Sequence, residues 1–149
     1  MEIDINIMTS EDIASIEPSF FESFDKFWSV DILKHDFEDK SSRYIVAKIG
    51  NTIIGFAGIK VILDEADIMN IVVRVDKRKL GIGSMLLEKL LEIAKFSNCS
   101  SITLEVNEHN LSAIHLYDKF NFDHIGIRKK YYNGESDAII MNKILGEKD

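Results

Sequence analysis

The segment Arg78-Lys79-Leu80-Gly81-Ile82-Gly83-Ser84 can do chemistry with its backbone alone, because it joins a β-branched run at 68–73 to the most regular apolar stripe in the chain. The first N–H groups of a helix lack intrahelical partners and carry the positive end of its dipole, and glycines let an anion approach them. A diphosphate fits such a place. Arg74, Lys77, Arg78 and Lys79 gather positive charge beside it. The same residues also read as a tight turn with solvated basic side chains. Two nucleotide patterns fail: no Gly-Lys-Ser/Thr ends the loop, and Leu86 stands where the dinucleotide fingerprint needs its third glycine.

Downstream lie a carboxylate and a phenol. Ile102, Leu104 and Val106 alternate with Thr103 and Glu105, so the Glu105 carboxylate leaves its strand on the opposite face. Tyr117, twelve residues on, stands at helical spacing with Ile114 and Phe120, in a helix that Asn110 can cap. A carboxylate and a phenol can serve as general base and general acid. They can also be a solvated strand carboxylate and a core tyrosine. His35, His109, His115 and His124 form no ligand pair on one helix face, so no metal is assigned. Cys99 is the single cysteine; it can form neither an intramolecular disulfide nor a multi-cysteine zinc site, and reads as an unreactive thiol.

These groups need elements to position them. Ile3, Ile5 and Ile7 alternate with polar residues and predict a strand. Thr9 and Ser10 can cap a helix beginning near Glu11 that Pro18 ends or kinks, and 30–39 reads as a second helix after an aromatic, charged stretch from 20. Residues 44–49 and 52–63 form a hairpin signal around Gly50-Asn51, both suited to positive φ. A strand at 68–73 and an amphipathic helix at 83–96 follow, the latter carrying Leu86, Leu87, Leu90, Leu91 and Ala94 on one stripe. A strand at 102–106, a helix from Asn110 to about Phe120, and strands at 124–128 and 137–144 complete the chain. The mixture of hairpins and helical crossovers predicts an α/β sheet with parallel and antiparallel pairs.

The 149 residues, 46% hydrophobic and 29% charged, suffice for one domain, 1–149, around one core. A net charge of −7 argues against broad binding to a nucleic-acid backbone, leaving only the basic patch at 74–79 for a salt-dependent contact. Residues 1–6 lack the pattern of a secretory signal and no apolar run approaches membrane-spanning length. A soluble cytoplasmic protein without membrane contact is expected.

Taken together, Arg78-x-x-Gly81-x-Gly83 after a β-branched strand, Leu-Glu-Val at 104–106, Asn110, and Ala113-Ile114-x-Leu116-Tyr117-x-Lys119-x-x-Phe122 resemble the Gcn5-related N-acetyltransferases. Trp28-Ser29, Leu63-Asp64-Glu65-Ala66, Asn70-Ile71-x-Val73, Arg128-x-x-Tyr131-Tyr132 and Asp137-Ala138-Ile139-Ile140-Met141 extend the likeness to the RimI type, which acetylates the N-terminal alanine of a ribosomal protein. The pattern departs at Val75, where proline is common, at Asn107, where arginine is frequent, and at Asn133-Gly134, where a proline-containing stretch is usual.

The resemblance implies a mixed, mostly antiparallel central sheet of about seven strands flanked by about four helices, and acetyl-coenzyme A as cosubstrate. It implies that Glu105 is the general base and Tyr117 the acid for the departing thiolate. Coenzyme contacts would come from Arg78, Lys79, Leu80, Gly81, Ile82, Gly83, Ser84 and Asn110. A main-chain N–H within Ile71, Val72 and Val73, where the fourth strand bulges and splays from the fifth, would polarise the carbonyl. Tyr131 and Tyr132 would line the peptide groove, and Glu65 would help bind the acceptor amine; the alternatives are an edge-strand surface and a turn residue. The expected function is direct transfer of acetyl, in a ternary complex, to a protein N-terminal α-amine, that of a ribosomal-protein alanine. A small-molecule amine, a lysine side chain and a non-catalytic coenzyme-binding role are the alternatives. At neutral pH an α-amino group of pKa about 7.7 to 8.0 is roughly 10 to 20% neutral, and a lysine under about 0.1%, so a carboxylate base suits the former. The oligomeric state stays open.

Overall fold

The computed structural model describes residues 2–21 and 28–146. Seven strands form one sheet in the order β1-β2-β3-β4-β5-β7-β6. They are β1 (Asp4–Ile7), β2 (Ser42–Ile49), β3 (Thr52–Ile62), β4 (Glu65–Val73), β5 (Ser101–Asn107), β6 (Asp123–Tyr132) and β7 (Ser136–Ile144). The described helices are α1 (Ser10–Ser15), α2 (Val30–Phe37), α3 (Ile82–Phe96) and α4 (Leu111–Lys119), with 3₁₀ turns at Pro18–Phe21 and Val75–Lys77. Every pairing is antiparallel except β4–β5. This is the mixed sheet that the sequence predicts. Residues 22–27, part of the aromatic stretch after 20, lie outside the described residues.

Local chemistry fixes most boundaries. Thr9 and Asp12 form a reciprocal capping box at α1, and Lys48 pairs with Asp12 at 2.7 Å, tying the helix to β2. Pro18 opens a 3₁₀ turn instead of kinking a longer helix. In the β2–β3 hairpin Gly50 has φ 61 while Asn51 does not take a positive φ, which corrects the expectation for Asn51. A two-residue loop needing positive φ only at its first position is the type II′ solution. At β6–β7 the strand continues past Arg128 to Tyr132, where Asn133 (φ 55) and Gly134 (φ 72) turn the chain back. The extension is possible because the Lys130 N–H, at a positive-φ irregularity, donates to Asp137 Oδ1 at 2.8 Å.

Two helical layers cover the sheet. Ile82, Leu86, Leu87, Leu90, Leu91 and Ala94 of α3, with Ile114 and Tyr117 of α4, pack on Ile45, Ile59, Ile102, Leu104 and Met141. On the other face Ile13, Ile16, Phe20, Trp28 and Leu33 pack on Tyr44, Val46, Phe56 and Val72.

The feature that shapes the site is in β4. Gly58 pairs with Asn70 and Ile59 with Ile68, so Met69 is an extra residue, a β-bulge. Before it Ala66 and Ile68 face α3; after it Val72 faces the α2 layer, and Ile71 and Val73 turn toward α3. The bulge was expected within Ile71, Val72 and Val73 and lies just ahead of them. Alternation alone hides it, because the insertion exchanges faces without breaking the buried-exposed pattern. Beyond the bulge β4 and β5 part. Their ladder holds only Glu65↔Ser101, Ala66↔Ile102 and Asp67↔Thr103.

Candidate active site

A wedge opens between β4 and β5 after Asp67 and Thr103. Its β4 edge is defined by alternation: the Arg74 N–H bonds the Ile54 carbonyl of β3 at 2.8 Å, so Val73 and Ile71 turn their N–H and C=O groups the other way, into the wedge. The Val73 carbonyl confirms this, because Arg78 Nε reaches it at 3.3 Å from the wedge side. Val72 faces β3. Of the three residues expected to supply a carbonyl donor, Ile71 and Val73 turn their amides into the wedge and Val72 does not.

Glu105 projects from β5 on the face away from α3, level with Ile140 of β7 and Gly126 of β6. Arg128, two residues further along β6, reaches back to bind Glu105 Oε1 at 3.2 Å. The second carboxylate oxygen, Oε2, is buried and has no hydrogen-bond partner. One oxygen is therefore held, and the other is unoccupied as an acceptor.

Tyr117 comes from α4, which sits against the first turn of α3 at the open end of the wedge. A Cβ on Gly83 would lie 3.5 Å from Leu116, and Lys119 Nζ lies 3.4 Å from Ser84 Oγ. Tyr117 is buried against Phe122, the ring centroids 5.5 Å apart. Burial first, and then the Tyr132 phenol, push its pKa above the ordinary tyrosine value. It stays a proton donor at neutral pH. Tyr132 also meets the Tyr131 ring edge-on at 5.0 Å, and Arg128 stands 5.6 Å over the Tyr131 ring. Glu105, Arg128, Tyr131 and Tyr132 thus form one connected group, and Tyr117 lies within the electrostatic reach of Tyr132.

The glycine loop closes the same end. Gly81 caps α3 in the left-handed conformation, φ 80, and neither a side-chain cap nor an acidic residue occupies the first turn. The N–H groups of Ile82, Gly83 and Ser84 have no carbonyl within the helix. Lys79 also has positive φ, 66, so left-handed residues stand on both sides of Leu80. Ile82 itself is buried, which leaves only its backbone to a ligand; Leu80 is exposed. The charge around the loop differs from the expected cluster. Arg74 is engaged by Asp76 at 2.6 and 3.0 Å, whereas Lys119 arrives from α4 beside Ser84.

Two expected residues sit differently. Asn110 caps α4, its Oδ1 accepting from the Ala113 N–H and from Ser112 Oγ, both at 3.3 Å. Glu65 is not brought to the group: its β5 partner is Ser101, four residues and about 13 Å along the strand from Glu105, at the closed end of the wedge. Sequence reasoning gave Arg128 and Lys119 no role, although both stand in the quoted patterns. Their partners lie on other elements, so only register and helix packing reveal them. Cys99 is buried, and burial together with the nearby Asp64 raises its thiol pKa, so it is not activated. Among the described residues no group of His, Cys, Asp and Glu could hold a metal ion, and no helix is long and apolar enough to cross a membrane.

The family model of the acetyltransferase (GNAT) family matches residues 10–122, a span running from α1 through the glycine loop to the end of α4. The chain belongs to that family. This acetyltransferase is 34% identical over 137 residues to a putative [ribosomal protein bS18]-alanine N-acetyltransferase of Bacillus subtilis, with 90% of each chain covered. It is 38% identical over 120 residues to the [ribosomal protein bS18]-alanine N-acetyltransferase of Haemophilus influenzae, covering 76% of this chain and 80% of that one. The crystal structure of the ribosomal-protein-S18-alanine N-acetyltransferase from Escherichia coli superposes with a TM-score of 0.88 at 27% identity, covering 99% of this chain and 97% of that chain. The acetyltransferase uses acetyl-coenzyme A, and the uncapped, acid-free start of α3 with its left-handed Gly81 suits the coenzyme's diphosphate.

Proposed function

We propose that this acetyltransferase acetylates the N-terminal α-amine of a protein, that of a ribosomal-protein alanine, by direct attack in a ternary complex. The observation that carries the reading is Glu105: one carboxylate oxygen held by Arg128, the other buried and without a partner at the edge of the wedge. Similarity along 90% of each chain to a putative enzyme of that acceptor class supports the choice of amine. A carboxylate is matched to an α-amine, whose neutral form is already a substantial fraction at neutral pH.

Bound acetyl-coenzyme A supplies an activated thioester. The main-chain amides of Gly81, Ile82, Gly83 and Ser84, with Arg78, Lys79 and Leu80 lining the loop and Lys119 beside it, hold the diphosphate. Asn110 keeps its oxygen in the helix cap and offers its amide nitrogen to the coenzyme. Ile71 and Val73 donate their N–H groups where negative charge builds on the carbonyl oxygen. Glu105 Oε2 accepts the proton of the attacking amine, and Tyr117 gives its proton to the sulfur. Tyr131 and Tyr132 flank the acceptor peptide. Glu65, at the closed end, has no part in these steps. The chain works as a single N-acetyltransferase domain in the cytoplasm, where ribosomal proteins are made.

The test is release of free thiol from acetyl-coenzyme A with a hexapeptide beginning Ala-Arg, its N-terminally blocked form, and free lysine. Release with the unblocked peptide alone is expected. Activity with a blocked, lysine-containing peptide would overturn the α-amine reading, and silence with every peptide would overturn the choice of a protein acceptor.

A further inference from the structure

On the Glu105 face of the sheet a second buried acceptor has no partner. Asn70 is 4% exposed, and its Oδ1 makes no hydrogen bond. Hydrogen-bond logic sets the amide's orientation. The Tyr44 hydroxyl has one proton and donates it to Asp36 Oδ2, so its oxygen can only accept from Asn70, whose Nδ2 lies 3.0 Å away. Asp36 is held in turn by Lys60 at 2.9 Å. Reversing the amide would set two acceptors against each other. The chain Lys60–Asp36–Tyr44 therefore keeps the Asn70 nitrogen toward β2 and its oxygen away from it. Tyr44 reaches across β3 because Gly58 lies beneath its ring, where a Cβ would come within 2.3 Å.

The ladder places Asn70 opposite the base. The last β4–β5 pair is Asp67↔Thr103, and the bulge at Met69 gives β4 one additional residue. Asn70, three residues on, is thus level with Glu105, two residues on. Both occupy the face remote from α3: Asn70 touches Tyr44 of the α2-side cluster, and Glu105 alternates with Leu104 and Val106 of the α3-side core. Two buried, unpartnered acceptors thus stand level on one face of the sheet, on the two strands that border the wedge.

We propose that Asn70 Oδ1 is a ligand of the acceptor amine and fixes its rotation for attack. This rests on the α-amine acetyltransferase reading. A primary ammonium carries three N–H groups. One proton passes to Glu105 Oε2, leaving a lone pair; Asn70 Oδ1 holds one of the two remaining N–H groups and thereby aims that lone pair. The new N–C bond forms as the C–S bond breaks and Tyr117 gives its proton to the sulfur; the acylated nitrogen then sheds its second proton, which restores the Tyr117 phenol, so the amide keeps the N–H held by Asn70 and Glu105 keeps the first proton. A neutral carboxamide suits this place, because a second carboxylate would stabilise the ammonium and oppose its deprotonation. Tyr44, acting through Asn70, is a positioning residue.

The experiment measures steady-state kinetics with the Ala-Arg hexapeptide, and the acetyl-coenzyme A Kd by calorimetry, for Asn70→Leu, Tyr44→Phe and Glu105→Gln. Asn70→Leu is expected to lower kcat/KM for the peptide about ten- to a hundredfold, as for loss of a hydrogen bond to a charged group, with the coenzyme Kd within about twofold. Tyr44→Phe reproduces part of the loss with the same split. Circular dichroism reports folding; if Asn70→Leu does not fold, the milder Tyr44→Phe decides. Wild-type kcat/KM in the folded Asn70 and Tyr44 variants, alongside an inactive Glu105→Gln, would overturn the role of Asn70 alone. Equal loss of coenzyme affinity and peptide turnover would also overturn it, marking a structural effect. Full activity in Glu105→Gln, or an inactive wild type, would instead sink the underlying reading and the proposal with it.

Discussion

A buried phenol keeps its proton past the ordinary tyrosine range, and Tyr117 has both burial and the Tyr132 phenol acting in that direction. Replacing it with phenylalanine keeps the ring that packs against Phe122 and removes the hydroxyl with its proton. Tyr117→Phe is expected to lower kcat about a hundredfold or more while the acetyl-coenzyme A Kd stays within about threefold, measured by steady-state kinetics and calorimetry. Lost coenzyme binding with unchanged turnover of bound substrate would remove the acid role. At this scale the sequence was partly legible. Alternation in 102–106 put Glu105 on its own face, as found, because a strand's period of two is a local property. Arg128 was not legible as its partner: the contact depends on the register of β6 on β7 and of β7 on β5.

Elements were legible where one local rule decided them. The stripe of α3, the Thr9 cap and the Gly50 turn all appear where the pattern put them, and α3 begins one residue earlier than expected, at Ile82. The bulge at Met69 was misplaced because a single inserted residue leaves no mark in an apolar, β-branched run. Neighbouring β3 shows how much such details matter. Tyr44 lies over Gly58 so closely that a methyl group there would overlap its ring. Gly58→Ala is expected to cost about 3 kcal/mol, as overpacking that forces Tyr44 off Asp36 and Asn70. Urea unfolding checks this, a midpoint equal to wild type being the contrary result.

For the whole molecule, two phenols, Tyr44 and Tyr117, have pKa values raised chiefly by burial. In the unfolded chain both release protons near pH 10, while the folded chain retains them. Above that pH the unfolded state binds fewer protons, so stability falls as pH rises. The expected profile shows no phenol contribution below about pH 9 and a loss above about pH 10 of about 1.4 kcal/mol per pH unit for each phenol. Urea midpoints between pH 8 and 11 test it, and Tyr44→Phe, which removes one of the two phenols, is expected to make the slope shallower. The seven-strand mixed architecture was legible from the order of elements, whereas the insertion of β7 between β5 and β6 was not, since no short-range pattern encodes it.

The short β4–β5 ladder has a mechanical consequence. Three rungs join a four-strand half, β1 to β4, to a three-strand half, and the remaining rungs on that seam are missing. A molecule bound along the seam acts as a keystone, supplying from outside the bonds that the protein leaves unmade. Acetyl-coenzyme A at a hundred times its Kd is expected to add about 2.7 kcal/mol to stability. Hydrogen exchange locates that gain: the amides of Ile71 and Val73, which face the seam, slow more than those of the continuous β2–β3 hairpin. On the proposed reading the substrates meet along this seam, so the sheet gains its missing bonds there only while they are held.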